Sequence, residues 1–572
     1  MPRLKLPTES GHKPSSGSPK PNVNGAQAEQ ERAQKKNGSL LAVLSDGPNL
    51  RAFEKNHPNA DAAPEKMKKS DVNKPNVLIV MSDQHHHRFM GCAGHELMQT
   101  PVMDRLAGRG LRFSNTYCPF PLCGPSRMSF MTGRHPSTTG CLTNQCHLNS
   151  DVPTYAHAFG AGGYDTILSG RMHFVGQDQR HGFDERIIGD CGGTAYINPV
   201  TGWKLEEVLG PLIDTPGMGR TPLRKSGPGH TGYHAYDRTV TETTVEWLYA
   251  RGKKVAAGNS ERPFMMTVGY VSPHCPFVAP PEDYALYDDK ITADDLPDPH
   301  LDGIHDVHRN IRKRWKLSDE PIPVEWQRRT SVAYHGLCTF LDRELGRIIH
   351  ALEESGLAEN TIVVYTSDHG EQLGEHGLWW KSTFYDGSIG VPMLMAGPGI
   401  EGGGRVVTQN IGLIDLGQTL LDLAGVELLP NIDGNSFRSL IDGDPANWPD
   451  QTISEATAQS PKDEGVIQRL IRKGPWKLCY YHGMRVQLFN IEEDPLEHHD
   501  RWDDPACAGI VSDLTERIFE GWDRERMLRT YRAKREEQVL FGEWVKKNQP
   551  AEPDALWYDT PPENSIVDMP EL

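Results

Sequence analysis

Three short apolar runs, each stopping abruptly at polar residues, constrain this chain more than anything else in its sequence. Residues 76–81 lead into Ser82-Asp83-Gln84, residues 264–270 into Val271-Ser272-Pro273-His274, and residues 361–366 into Ser367-Asp368-His369-Gly370. None alternates polar with apolar positions, so neither face of such a strand meets water. That is the pattern of a parallel sheet covered by helices. Between the second and third runs, Ala333, Leu337, Leu341, Leu345 and Ile349 recur every four residues beside Phe340, Ile348 and Leu352, which predicts a long amphipathic core helix. Pro101 to Arg109 reads as a helix with Val102, Leu106 and Ala107 on one face, and residues 111–117 as the next strand. The expected fold class is α/β, a mostly parallel central sheet sandwiched by helices.

The texture changes near residue 430. Residues 471–478 and 486–490 read as strands of a smaller C-terminal antiparallel sheet, and residues 511–540 as charged helix. Residues 1–72 are rich in Pro, Ser, Asn, Lys and Gly without hydrophobic periodicity, the signature of a disordered leader, with Met67-Lys68-Lys69-Ser70 as an alternative start. The expected division is a leader over 1–72, an α/β domain over 73–430, an antiparallel subdomain with helices over 431–545, and a tail over 546–572. That Pro- and acid-rich tail is a candidate homo-oligomer contact.

A net charge of −17 argues against nucleic-acid binding but leaves room for a local basic pocket. No apolar run approaches a membrane span, and residues 40–44 are too short for a signal h-region. The expectation is a cytoplasmic protein with no nucleic-acid or membrane partner. The ten cysteines include no Cys-x-x-Cys pair, and Cys118/Cys123 and Cys141/Cys146, each five apart, match no common zinc pattern. In a reducing compartment most are expected to be free, buried thiols.

Cys123 has unusual company. In Pro121-Leu122-Cys123-Gly124-Pro125-Ser126-Arg127, Pro125 suits the first turn of a helix. Cys123 then falls just before the helix N-terminus, where free N–H groups favour negative charge, and Arg127 lies one turn on. The residues alone leave two readings, a structural thiol in a Gly-Pro turn or a cysteine at an anion-attracting site. Asp83 and the Asp368-His369 pair, each at a strand end, are either turn residues or part of a divalent metal site.

Together these pieces resemble the type I, formylglycine-dependent sulfatases of the alkaline phosphatase superfamily. Cys123-x-Pro125-Ser126-Arg127 with Thr132-Gly133-Arg134 is similar to the signature whose cysteine a formylglycine-generating enzyme oxidises. The stretch 169–176, containing Arg171 and His173, resembles the second signature, with Arg171 in place of the usual lysine. Residues 375–381 resemble the segment that supplies a lysine, Lys381, and Ser272-Pro273-His274 the segment that supplies a leaving-group histidine. The likeness spans roughly residues 74–500. Asp83-Gln84, Pro121-Leu122-Cys123, Met172 to Gly176 and Gly182-Phe183 look like the choline-sulfatase branch.

The resemblance implies a sulfuric ester hydrolase that cleaves a small alkyl, aryl or sugar sulfate through a metal-activated formylglycine at position 123. It implies Asp83, Gln84, Cys123, Asp368 and His369 as ligands of one divalent metal, Ca2+ or, given the imidazole, Mn2+. Gln84 stands where many relatives have a second Asp, and His369 where many have Asn. Arg127, Arg171 and Lys381 are expected to offset charge on the sulfuryl oxygens, His274 or Lys381 to protonate the leaving group, and His173 to act as the base that releases sulfate. His376 is a secondary candidate, facing solvent or packed on Trp379. Residues 190–232 are expected to line the substrate pocket, with Trp203 a candidate cation–π partner. The competing expectations are a phosphonate monoester or phosphodiester hydrolase with the same nucleophile, metal and fold, a non-catalytic anion-binding relative, and a plain thiol enzyme.

Overall fold

The three apolar runs become the middle of an eight-stranded sheet. The computed structural model describes residues 74–190, 218–259, 261–458, 466–548 and 565–566, all within the unit Lys68–Leu572. The leader, Trp203 and most of the tail lie outside the described residues. The two described tail residues, Ser565–Ile566, pair antiparallel with His230 and Gly229. Among the described residues no helix is long and apolar enough to cross a membrane.

In chain order the sheet uses Asn76–Asp83 (β1), Leu111–Phe113 (β2), Asp165–Gly170 (β3), Glu185–Ile188 (β4), Phe264–Pro273 (β5), Thr361–Ser367 (β6), Met393–Ala396 (β7) and Arg405–Val407 (β8). The spatial order is β8-β2-β7-β6-β1-β5-β3-β4. β7 runs antiparallel to both neighbours, and the other pairs are parallel. This is the mostly parallel sheet that the apolar runs predict.

Both faces of β1 are covered. Val77, Ile79 and Met81 join a cluster containing Phe130, Leu416 and Leu420, from the helices Cys123–Thr132 and Leu413–Leu423. Leu78 and Val80 face the other way, onto Tyr236, Leu341, Leu345 and Ile348 of the helices Gly232–Ala256 and Val324–Glu354. Alternate residues of one strand therefore bury into two separate cores, which is why the run lacks a polar phase.

Several local expectations shift. The helix Pro101–Arg109 (α1) buries Met103 rather than Val102, beside Leu106 and Ala107. Its free N-terminal N–H groups are satisfied from a distance: the Asp342 carboxylate accepts from Val102 and Met103 at 3.1 and 2.8 Å. Residues 111–117 split into β2 and the two-residue strand Thr116–Tyr117, which pairs with Ile411–Gly412. Residues 471–478 are not one strand. Gly474, at φ +49°, turns the chain between Ile467–Lys473 and Trp476–Tyr481, neighbours in a four-stranded antiparallel sheet with Gln451–Thr457 and Gln487–Asn490. The charged helix likewise breaks near Gly521 into Ala508–Phe519 and Arg524–Asn548.

Because β6, β1, β5 and β3 are adjacent and parallel, their carboxyl ends lie side by side, where open α/β sheets place ligands. Between β5 and β3 the approach is close enough to require glycine on both strands. A Cβ on Gly269 would lie 1.8 Å from the Arg171 carbonyl oxygen, and one on Gly170, at φ +91°, 2.3 Å from the Gly269 carbonyl oxygen. Gly269→Ala is expected to destabilise the protein by about 1–3 kcal/mol by overpacking. An unchanged midpoint in denaturant unfolding would show that the strands can part freely there.

Candidate active site

Four strand ends and one helix start bring the chemistry together. Asp83 ends β1, Arg171 follows β3, His274 follows β5, and Asp368 and His369 follow β6. Cys123 is the first residue of the helix Cys123–Thr132 (α2), one position further in than its Gly-Pro context suggests. Asp83, Cys123, Asp368 and His369 are buried, with one ligand atom from each lying within 4.8 Å of the others.

The Cys123 sulfur is 3.1 Å from Lys381 Nζ, 3.2 Å from His369 Nε2 and 3.5 Å from Asp83 Oδ1. Burial pushes the thiol up, but Lys381, His369 and hydrogen bonds from His173 and His274 overcome it and hold the group well below the usual thiol range. Burial and the Cys123 charge press the Asp83 carboxyl upward, whereas Arg171, His274 and Lys381 hold it well below the usual range. Burial raises Asp368 despite the opposing Arg127 guanidinium. Burial works against charge on His274, yet Cys275, Asp83 and the bond to Cys123 bring it up to about 10.

Lys381 also donates to Gln84 Oε1 at 3.0 Å, while Gln84 Nε2 donates to Glu371 at 2.5 Å. The other Glu371 oxygen accepts from the Leu373 and Trp380 amides, which locks the way the Gln84 amide faces. His369 Nδ1 meets the Gly370 carbonyl at 3.0 Å, so its proton sits there and the Nε2 lone pair faces the cluster.

Arg127, expected against the sulfuryl oxygens, points elsewhere. It is fully buried and donates to Asp368 Oδ2 (2.9 Å), Asp83 Oδ2 (3.4 Å) and the carbonyls of Arg171 and Ser82. Its position one turn from Cys123 lets the long side chain reach behind the carboxylates rather than in front of them. Arg171 donates through Nε to Asp83 at 2.7 Å and through Nη2 to His173 Nδ1 at 3.1 Å. His376 neither faces solvent nor packs on Trp379. It is buried and stacks on Tyr385 with centroids 3.6 Å apart.

One supporting residue, Asn144, carried no sequence signal, and a second, Asp190, was read only as the start of the stretch 190–232. Asn144 accepts from the Gly124 amide through Oδ1 at 2.9 Å, and its carbonyl meets His173 Nε2 at 3.2 Å. Asp190 was expected in the substrate pocket. Instead it is buried, accepts from the His173 amide at 3.1 Å and pairs with Arg186 at 2.7 Å. Gln84, His173, Trp380 and Ser382 all adopt positive φ, so unfavourable backbone geometry concentrates around these groups.

The residues 75–426 match the sulfatase family profile, and residues 374–523 that of the N-sulphoglucosamine sulphohydrolase C-terminal region. A choline-sulfatase from Rhizobium meliloti (strain 1021) is 34% identical over 477 residues, covering 79% of this chain and 88% of the relative. The phosphonate monoester hydrolase of Agrobacterium radiobacter shares the fold at TM-score 0.63 and 21% identity, over 78% of this chain and 95% of that one. A structure in complex with its substrate D-glucosamine-2-N,6-O-disulfate does so at TM-score 0.61 and 21% identity, over 79% and 98%.

Since Arg127 orients both carboxylates, Arg127→Lys should weaken divalent-metal binding about 10–100-fold, as loss of a partner behind metal ligands does. Calorimetric titration with Mn2+ checks it, and affinity equal to wild type would remove that role.

Proposed function

The chain belongs to the sulfatase family of sulfuric ester hydrolases, and from that premise we propose that it cleaves a small organic sulfate monoester with Cys123, oxidised to formylglycine by a formylglycine-generating enzyme, as nucleophile. One observation carries the reading: the Cys123 sulfur sits at a helix start in contact with a lysine, an imidazole and a carboxylate, surroundings a structural thiol does not need. Every cysteine among the described residues is free, which supports the cytoplasmic assignment.

The donor set fits a divalent cation. Asp83, Asp368, the Nε2 lone pair of His369 and the residue at 123 converge, with the Gln84 amide oxygen beside them. Oxygen donors suit Ca2+, and the oriented imidazole favours Mn2+ as the alternative. Bound there, the ion supplies Lewis-acid stabilisation of negative charge. The hydrated aldehyde supplies two hydroxyls, one to attack sulfur and one to lose a proton when sulfate leaves.

The remaining work falls to side chains. Lys381 Nζ and the Arg171 guanidinium set positive charge where charge develops on the sulfuryl oxygens. His274, whose Nδ1 is held by the Cys275 carbonyl, offers its proton to the leaving alcohol. His173, held between the Arg171 guanidinium at Nδ1 and the Asn144 carbonyl at Nε2, is placed to serve as the base when sulfate leaves. Arg127 acts on the carboxylates rather than on substrate.

The Asp368-His369 pair and the shared fold favour one second reading, a phosphonate monoester or phosphodiester hydrolase. Protein co-expressed with a formylglycine-generating enzyme should show a peptide containing residue 123 about 18 Da lighter than its cysteine form. It should turn over an aryl sulfate faster than an aryl phosphonate monoester, and Cys123→Ala should lower the rate on the order of 10⁴-fold or more. A faster phosphonate reaction would establish the second reading. Turnover by protein with an unmodified thiol would remove the formylglycine mechanism.

A further inference from the structure

One polar side chain on the helix Arg524–Asn548 grips the turn that carries Asn144. Residues 141–149 form no helix or strand. The Cys146 amide closes the turn on the Thr143 carbonyl at 3.1 Å, and contacts from other elements set where the turn lies. Thr457, at the end of the strand Gln451–Thr457, donates to the Leu142 carbonyl at 2.9 Å. Gln538 donates through Nε2 to Thr143 Oγ1 at 3.0 Å and to the Gln145 carbonyl at 3.3 Å. It therefore holds Asn144 by the residue before it and the residue after it.

Gln538 is placed where a helix of this kind ordinarily carries an apolar side chain. It is the one residue from 532 to 541 that is not exposed, and it lies two turns beyond the buried Tyr531 on the same face. An amide turned inward there is stabilised by the hydrogen bonds it makes, and the two to Thr143 and Gln145 flank Asn144. Asn144 passes the constraint on, since its Oδ1 accepts from the Gly124 amide and its carbonyl meets His173 Nε2. The two recipients are not equally free to respond. Every residue of α2, which contains Gly124, is buried, and Arg127 anchors that helix to both carboxylates. His173 lies outside any helix or strand, at φ +60°.

We propose that Gln538 is a positioning residue for the release of sulfate, acting through Asn144 on His173. In that step the base takes the proton of the second hydroxyl at residue 123, and the O–H electron pair forms the aldehyde C=O. The carbon–oxygen bond to sulfate breaks, with its electron pair leaving on sulfate. The alcohol half has already left with its own proton. Loosening the turn therefore displaces the base and slows sulfate release, while α2 and the first step stay nearly as they were. This rests on the reading of residue 123 as a formylglycine nucleophile and of His173 as the base.

The test uses the full-length, formylglycine-bearing enzyme and 4-nitrophenyl sulfate, whose good leaving group makes the first step fast. Nitrophenol and inorganic sulfate are followed separately, over one turnover and at steady state. Gln538→Met keeps the length of the side chain and removes its donor. The expected results are sulfate release slowed on the order of tenfold, kcat/KM unchanged, and a burst of nitrophenol approaching one per active site. Gln538→Lys, which restores a donor, should recover part of the rate. Thr143→Val removes an acceptor from the turn instead of the donor from the helix, and combined with Gln538→Met it should cost less than the product of the two effects. Equal slowing of nitrophenol and sulfate, as a general loss of structure would give, would overturn the proposal. So would an unchanged rate of sulfate release, or fully independent effects of the two substitutions. No turnover by the modified wild-type enzyme would instead remove the sulfatase reading, a different result from turnover indifferent to Gln538.

Discussion

Two carboxylates buried side by side at one sheet edge repel each other, and the structure exists because a single guanidinium ties them down. Arg127 reaches Asp83 and Asp368 while also holding two backbone carbonyls from separate strand ends. Removing one partner from a buried ionic cluster leaves an uncompensated charge, which is far costlier than the pair is favourable. Around this knot Arg171 and Lys381 bring further positive charge to Asp83.

The sheet makes that cluster possible through strand order rather than through any one loop. The strands that deliver Asp368, Asp83, His274 and Arg171 are consecutive neighbours, β6-β1-β5-β3, although they come from distant parts of the chain. Parallel pairing puts all four exits at one edge. The glycines at 170 and 269 then bring the last two exits within main-chain contact, with the Arg171 amide donating to the Gly269 carbonyl at 2.8 Å. Unfavourable φ values follow immediately, at Gln84 and His173, where the chain must leave the pleat and aim a side chain inward.

The sequence made the sheet legible because its central strands are buried on both faces and so read as unbroken apolar runs. The residues that converge at the strand ends were legible because they occupy short local patterns. What it hid were interactions that depend on where a side chain ends rather than where it begins. Glu371 orients Gln84 from 287 positions away, and nothing in Gly370-Glu371-Gln372 announces that. Arg127 sits one turn from Cys123, yet its guanidinium lies behind the carboxylates. The hairpin at Gly474-Pro475 was legible in principle, since a Gly-Pro pair interrupts the run, but apolar content on both sides masked it.

Arg171 shows why a replaced signature residue need not weaken a site. A lysine carries one compact charge, whereas the arginine fork points in two directions at once, Nε at Asp83 and Nη2 at His173 Nδ1. One side chain thus links the Asp83 carboxylate to His173 Nδ1. Asn144 makes a second link, taking the Gly124 amide of α2 through its side chain and the His173 imidazole through its carbonyl. Asp190 fixes the His173 backbone from a third direction. The helix that carries Cys123 and the loop that carries His173 are therefore coupled through Asn144, so displacing one displaces the other.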